Sequence, residues 1–276
     1  MSKGLLDPKV DFVFKNIFGS PNHPEILISF LNATLKAKKK IVNVDIKKTD
    51  IEKQYIEDKY SRLDVKATTS NDEIINIEIQ LKNENNMVKR SLYYLSKMYE
   101  EQLNEKEDYS KLVRTVCINI LNFKYLKTDN FHTGYRFKEI ESNEELTDIM
   151  EVHFIEIPKL QDSSDEKDML VAWTEFLKDP ESEKVRGLEL SIEEIRQAKD
   201  ELIRMSNDST QRELYDMRAN SLRDKMSELN AAERKGIEKG REEEKIKIAR
   251  NMKLNGLDNN KIAKITNLSE DEIDKL

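Results

Sequence analysis

The chain has 276 residues, of which 37% are charged and 37% belong to the usual apolar set, and its formal net charge is −7. Glycine and proline contribute only seven and five residues, and this shortage of turn formers favours long helices. One cysteine and three widely spaced histidines argue against disulfide scaffolds, cysteine-rich zinc sites and iron–sulfur clusters. Glycine-rich nucleotide loops, the hydrolase elbow and the zincin motif are missing, which leaves carboxylates, amides and lysines for any catalysis.

Two further exclusions concern location and partners. No stretch approaches the roughly 20 apolar residues that span a bilayer, and the amino-terminal residues lack the apolar core of a signal peptide. We therefore expect a cytoplasmic protein with no membrane partner. Because the chain is acidic overall, nucleic acid would have to bind a locally basic surface.

The first 160 residues combine helical and strand periodicities. Residues 8–35 have apolar side chains at helical spacing, with a break after Gly19. Alternating runs over 41–49, 60–68 and 73–81 predict three strands, and a polar turn joins the last two. A helix is predicted over 87–104, followed by strands over 111–123 and 150–157. That helix is long enough for a parallel crossover, so we expect an α/β core with a mixed sheet.

The chain after Pro158 is almost entirely helix-forming. Residues 231–250 are too charged to bury much surface and predict an exposed arm. Two short helices with a capping box at Ser269 are expected at the end of the chain. The predicted domains are 1–160, 161–230 and 231–276. For the terminal pair we favour self-association over DNA reading, because its last helix carries four acids: Glu270, Asp271, Glu272 and Asp274.

Two carboxylates on neighbouring predicted strands form the candidate site. If the hairpin closes around Asn71, antiparallel partners have residue numbers that add up to 142, which places Asp64 opposite Glu78. Directly opposed Cβ atoms lie roughly 4.5–5.5 Å apart, so the two charges repel unless a cation lies between them. Carboxylate oxygens suit magnesium. An exposed face balanced by Arg62, Lys66 and Lys82 is the alternative that spacing alone leaves open.

These segments resemble the PD-(D/E)XK nucleases, and more closely the recombination-promoting nuclease (Rpn)/transposase family among them. The matching segments are DFVFKNIF (11–18), RLDVK (62–66), EIQ (78–80) and RSLYYLSKMY (90–99). The helical carboxyl-terminal half extends the resemblance over most of the chain. The resemblance implies a restriction-endonuclease-like α-β-β-β-α-β core, a bacterial source and a link to DNA recombination or mobile elements.

The resemblance also implies site roles. Asp64, Glu78 and the Ile79 carbonyl would hold Mg²⁺, for which Mn²⁺ can substitute, and Asp11 would complete the metal shell. Gln80 stands where the superfamily has lysine, and its amide can only hydrogen-bond a water molecule. The expected activity is metal-dependent endonucleolytic hydrolysis of DNA phosphodiesters. The residues expected to bind DNA are Lys15, Lys66, Lys82, Arg90, Tyr94 and Lys97.

Two alternatives stay open at this point. The replacement at Gln80 is compatible with a nuclease fold that binds DNA or protein without turnover. A helical scaffold that forms large oligomers through residues 205–253 is the third reading. In the enzyme interpretation the carboxyl-terminal helices are expected to mediate homo-oligomerisation.

Overall fold

Two short helices begin the described part of the chain. The structure, a computed structural model, describes residues 4–36, 39–47, 65–165 and 167–276. Helices α1 (Asp11–Phe18) and α2 (Pro24–Leu35) are separated at the break expected after Gly19. A Cβ atom on Gly19 would lie 2.7 Å from the carbonyl oxygen of Lys15, so this exit from α1 requires glycine. Pro24 opens α2, where its missing N–H would have no helical acceptor.

A mixed sheet forms the centre of the fold and confirms the predicted α/β class. The strands found among the described residues are β1 (Val44–Lys47), β2 (Val65–Thr69), β3 (Ile74–Gln80), β4 (Thr115–Leu121), β5 (His132–Lys138) and β6 (Glu145–Glu156). Their order is β1-β2-β3-β4-β6-β5. Strands β3, β4 and β6 are parallel, whereas β1 with β2, β2 with β3, and β5 with β6 are antiparallel.

The β2–β3 pair has the predicted register wherever it is described. Val65 lies opposite Ile77 and Lys66 lies opposite Asn76, so both pairs of residue numbers add up to 142. Asp64 and Arg62, whose predicted partners are Glu78 and Gln80, lie outside the described residues. The crossover helix α3 (Met87–Glu100) joins parallel strands β3 and β4, as expected.

Strand β5 and residues 145–149 of β6 were not among the predicted strands. Strand β5 is an edge strand that pairs only with β6 in the described sheet, and most of its side chains are exposed. The sequence prediction relied on buried apolar alternation, which this strand lacks. The consequence is that contacts made by His132 were not anticipated.

The two faces of the sheet are covered by different helices. Ile75, Ile77 and Ile79 of β3 pack in the main core with residues from α1 and α2. On the other face, Tyr94 and Met98 of α3 pack against Ile74. Successive residues of β3 therefore alternate between the main core and helix α3.

The chain divides into two packing units, residues 1–218 and residues 219–276, and the helices after residue 160 are distributed between them. Residues from α4 and α6 share the main core with α2, so this helical segment packs with the α/β part. The predicted domain limits at 160 and 230 stay a division drawn from composition. The helices are α4 (Met169–Lys178), α5 (Glu183–Glu189), α6 (Glu193–Asn207), α7 (Ser209–Leu254), α8 (Asn259–Thr266) and α9 (Glu270–Asp274).

The second unit has its own small core. Ala249 of α7, Ile262 of α8 and Ile273 of α9 are buried together. The predicted capping box is present at the start of α9, where Ser269 accepts from the Glu272 backbone and the Glu272 side chain accepts from the Ser269 backbone. No helix in the described ranges combines the length and apolarity needed to cross a membrane.

Candidate active site

Glu78 lies on the central strand β3 and points towards helix α3. Its neighbours Ile77 and Ile79 face the main core, so the alternation of the strand turns Glu78 to the opposite face. Only 1% of its surface is exposed. A carboxylate at this depth is costly in its ionised form unless positive charge or hydrogen-bond donors stabilise it.

A guanidinium group lies beside this carboxylate. Nε of Arg90, in the first turn of α3, is 3.3 Å from Oε2 of Glu78. The same guanidinium lies over the ring of Tyr94, with its central carbon 5.3 Å from the ring centroid. The sequence interpretation assigned Arg90 and Tyr94 to DNA phosphates, whereas Arg90 here is paired with a predicted metal ligand and Tyr94 is only 9% exposed.

A buried polar layer supports the site beneath α3. Oγ of Ser91 lies 2.8 Å from Oδ1 of Asn119, the residue of β4 that is in register with Glu78. The Asn119 amide donates to the backbone carbonyl of His153, 3.1 Å away. These contacts fix α3, next to Arg90, on strand β4, which pairs with the strand that carries Glu78.

The surroundings of Glu78 favour uncharged forms of neighbouring acids. Burial, followed by the nearby Glu78 carboxylate, raises the pKa of the Cys117 thiol to about 12. Burial also raises the pKa of Tyr94, against the opposing influence of Arg90. The Arg90–Glu78 pair therefore lies in a weakly solvated environment, where electrostatic interactions are stronger than at the surface.

The remaining predicted residues lie in several places. Lys66 and Lys97 both approach Glu101 at the end of α3, at 3.8 Å and 3.9 Å. Gln80 is the last residue of β3, and Lys82 follows it by two positions, with both half-buried. Lys15 is half-buried in the last turn of α1.

Asp11 is paired with an arginine distant in sequence. It begins α1, which packs on the Ile77 face of the sheet, and its carboxylate is 2.9 Å from Nη1 of Arg218. The resemblance placed Asp11 in the metal shell, but sequence alone could not reveal a partner 207 positions away. The ion pair links the first turn of α1 to α7, and the role of Asp11 in the metal shell stays a prediction.

The described residues include a ligand of the chemical type that a divalent cation prefers, but they supply only part of a ligand set. Glu78 offers carboxylate oxygens, which magnesium prefers, and Arg90 is a positive charge already accommodated beside them. Within the described ranges, no group of three or more His, Cys, Asp or Glu side chains could hold a metal ion. Asp64, the second predicted carboxylate ligand, lies outside those ranges.

Comparison with known protein families identifies the chain. Residues 8–232 match the family model described as PD-(D/E)XK nuclease family transposase. The chain belongs to this family. Residues 242–276 match a second model, described as the carboxyl-terminal HTH domain of the Rpn/YhgA-like nuclease family. Comparison with the curated proteins and with the solved structures gave no match.

The second match changes the interpretation of the terminal helices in this PD-(D/E)XK chain. Helices α8 and α9 correspond to the two short helices predicted from sequence. We favoured self-association because α9 is acidic, whereas the family description favours DNA binding by a helix-turn-helix. Homo-oligomerisation stays a prediction.

A largely buried network near the β5 edge of the sheet in this nuclease-family chain was not predicted from the sequence. Nε2 of His132 is 2.9 Å from Nδ1 of His153, whose Nε2 is 2.7 Å from a carboxylate oxygen of Glu151. Arg114 bridges Glu151 to Glu73. The wide spacing of the histidines in sequence gives no sign of this contact, because strand β5, which was not predicted, brings His132 next to His153.

Proposed function

We propose that this protein is a metal-dependent DNA endonuclease that uses Mg²⁺, with Mn²⁺ able to substitute. The observation that carries the proposal is the buried carboxylate of Glu78, on the central strand of a PD-(D/E)XK family fold and paired with a cationic side chain. A permanent structural role would not require an acid at this position, since burying an ion pair is often less stabilising than apolar packing.

Glu78 would hold the metal together with Asp64 and the backbone carbonyl of Ile79. The described β2–β3 register supports this set, because its continuation by one pair would join residues 64 and 78. A bound divalent cation supplies an acidified water nucleophile and neutralises charge on the phosphoryl oxygens. Water would give up one proton as it adds to phosphorus in line with the leaving 3′-oxygen, and that oxygen would take up a proton as its bond to phosphorus breaks.

Gln80 would orient the attacking water through its side-chain amide. An amide cannot supply the positive charge of the lysine usual in the superfamily. Lys66 and Lys82 are the candidates to provide it. Lys15, Arg90 and Lys97 would contact DNA phosphates, and Tyr94 would contribute through its contact with Arg90.

The remaining parts of the proposal concern partners and context. The terminal helix-turn-helix would add DNA affinity, and the carboxyl-terminal helices would mediate homo-oligomerisation. We further propose a cytoplasmic role in recombination or mobile-element DNA metabolism.

Cleavage of supercoiled plasmid tests this function. We expect nicking with Mg²⁺ or Mn²⁺, none with EDTA, and its loss in Glu78→Gln and Asp64→Asn. Glu100→Gln is the matched control, because Glu100 is an exposed acid on α3. Equal cleavage by the wild type, E78Q and D64N would contradict the proposed site. DNA binding without metal-dependent cleavage would favour the alternative of a catalytically silent nuclease fold, which the Gln80 replacement suggests.

A further inference from the structure

We infer that Arg90 is a resident counter-cation that a divalent metal displaces from Glu78, and that its guanidinium then becomes available to a DNA phosphate. The inference rests on the proposed function, because it assumes that Glu78 is a metal ligand. It assigns Arg90 two successive partners: a carboxylate before metal binds and a phosphate afterwards.

The first step of the argument is the cost of a buried charge. Glu78 is 1% exposed, and the Arg90 guanidinium is 3.3 Å from its carboxylate. In a weakly solvated site, a positive charge at this distance interacts strongly with a carboxylate. Arg90 therefore compensates the buried negative charge of Glu78 while no metal is bound, and a metal would have to compete with it for the same carboxylate.

The second step is that Glu78 does not hold the Arg90 guanidinium tightly. Arginine pairs most strongly with carboxylates through two parallel N–H···O bonds. Here the contact runs through Nε, and this buried N–H makes no hydrogen bond with any described residue. The guanidinium also rests over the Tyr94 ring at 5.3 Å. A loosely held cation is easier to replace than a bidentate one.

The third step is that the two cations compete. Magnesium binds oxygen ligands at about 2.0–2.1 Å, so a metal on Oε2 of Glu78 would lie close to the Arg90 guanidinium. The two positive charges repel, and the smaller doubly charged ion interacts more strongly with the carboxylate. Occupation by metal therefore weakens the hold of Glu78 on Arg90.

The fourth step concerns where Arg90 can go. Its side chain is 28% exposed, so it is the member of the pair that reaches the surface. Helix α3 is fixed at the next residue, because Oγ of Ser91 lies 2.8 Å from Oδ1 of Asn119. Metal binding can then redirect the Arg90 side chain without moving α3, and a guanidinium at the surface is well suited to a phosphate.

Metal binding and DNA binding by the same variants test this inference. Mn²⁺ binding without DNA is followed by electron paramagnetic resonance of the free ion, for the full chain and for R90Q, E78Q and K89Q. Lys89 is the matched control, since it is an exposed cation adjacent to Arg90 on α3. We expect R90Q to bind Mn²⁺ about tenfold more tightly, equivalent to the loss of one charge-assisted competitor, and K89Q to match the wild type.

The second arm measures binding of an uncleavable phosphorothioate duplex in saturating Mn²⁺ by fluorescence anisotropy. R90Q should bind this DNA several-fold more weakly than K89Q, although it binds metal more tightly. Equal or weaker Mn²⁺ affinity in R90Q than in the wild type overturns the displacement, and unchanged DNA affinity overturns the transfer to phosphate. If R90Q does not fold, R90K replaces it, and the expected changes are in the same directions but smaller.

The outcomes separate this inference from the proposed function. Absence of Mn²⁺ binding in both the wild type and R90Q contradicts the metal site itself and, with it, the nuclease proposal. Mn²⁺ binding that E78Q abolishes but R90Q leaves unchanged contradicts only the role of Arg90.

Discussion

Ser91 of helix α3 and Asn119 of strand β4 are joined by a buried hydrogen bond of 2.8 Å, next to the Arg90–Glu78 pair. Ser91→Ala would leave the Asn119 oxygen without this donor. We expect a loss of about 1–2 kcal/mol in the free energy of unfolding, typical of an abandoned buried acceptor. Urea denaturation measures it, with the exposed Ser96→Ala on the same helix as the control. Equal stability of the two variants would contradict this role.

The histidine network predicts loss of stability in acid. Burial, and next the neighbouring His153, lower the pKa of His132 to about 4, from the 6.5 usual for histidine. Because the pKa of His132 is lower in the folded than in the unfolded protein, folding favours the neutral imidazole. The stability that this contributes is present above pH 6.5 and is lost as the pH falls towards 4. Between pH 7.5 and 5 we expect about 1–2 kcal/mol of pH-dependent destabilisation from His132.

Urea denaturation of His132→Gln at these two pH values checks this contribution. The variant should lose less stability than the wild type between them, because glutamine does not titrate. His23→Gln is the control, since the His23 side chain is 42% exposed. Parallel pH dependence of all three proteins would rule out the titration of His132 as the cause.

Cys117 should be inert towards thiol reagents in the folded protein. Burial, followed by Glu78, raises the pKa of its thiol to about 12, and the thiolate is the reactive form. We expect no reaction with a disulfide reagent at pH 8 and full reaction after unfolding in guanidinium. Rapid labelling of the native protein would show that the layer beneath α3 opens readily.

Substitution of glycine by alanine should change stability in opposite directions at two kinds of position. A Cβ on Gly236 or Gly240 of α7 meets nothing within 4 Å, so each alanine should stabilise its helix by about 0.5–1 kcal/mol. Gly19→Ala should destabilise the first unit by about 1–3 kcal/mol, because the new Cβ would lie 2.7 Å from the Lys15 carbonyl oxygen. Thermal unfolding followed by circular dichroism distinguishes the two signs.

Local sequence patterns were sufficient for most of the fold. The β2–β3 register followed from two alternating runs around a polar turn, because a shift of one residue would exchange the faces of every side chain. Strand β4 was predicted from an uninterrupted apolar run, and all of its residues are buried. The capping box at Ser269 is purely local and was correctly predicted.

Contacts between distant residues could not be predicted in the same way. Alternation turned Glu78 away from its apolar neighbours, but whether α3 would cover it depended on packing. The partners of Asp11 and His132 depend on α7 and β5, which bring together residues far apart in sequence. The site was therefore predictable as a set of residue types on a strand, and its burial and its Arg90 partner were not.

Anomalous diffraction from crystals grown with Mn²⁺ tests most directly the claim that Glu78 holds a divalent cation. We predict an anomalous peak about 2.1 Å from a Glu78 carboxylate oxygen, with the Arg90 guanidinium moved away from that oxygen. Manganese bound only elsewhere, with Arg90 still beside Glu78 in crystals saturated with the ion, would contradict the account.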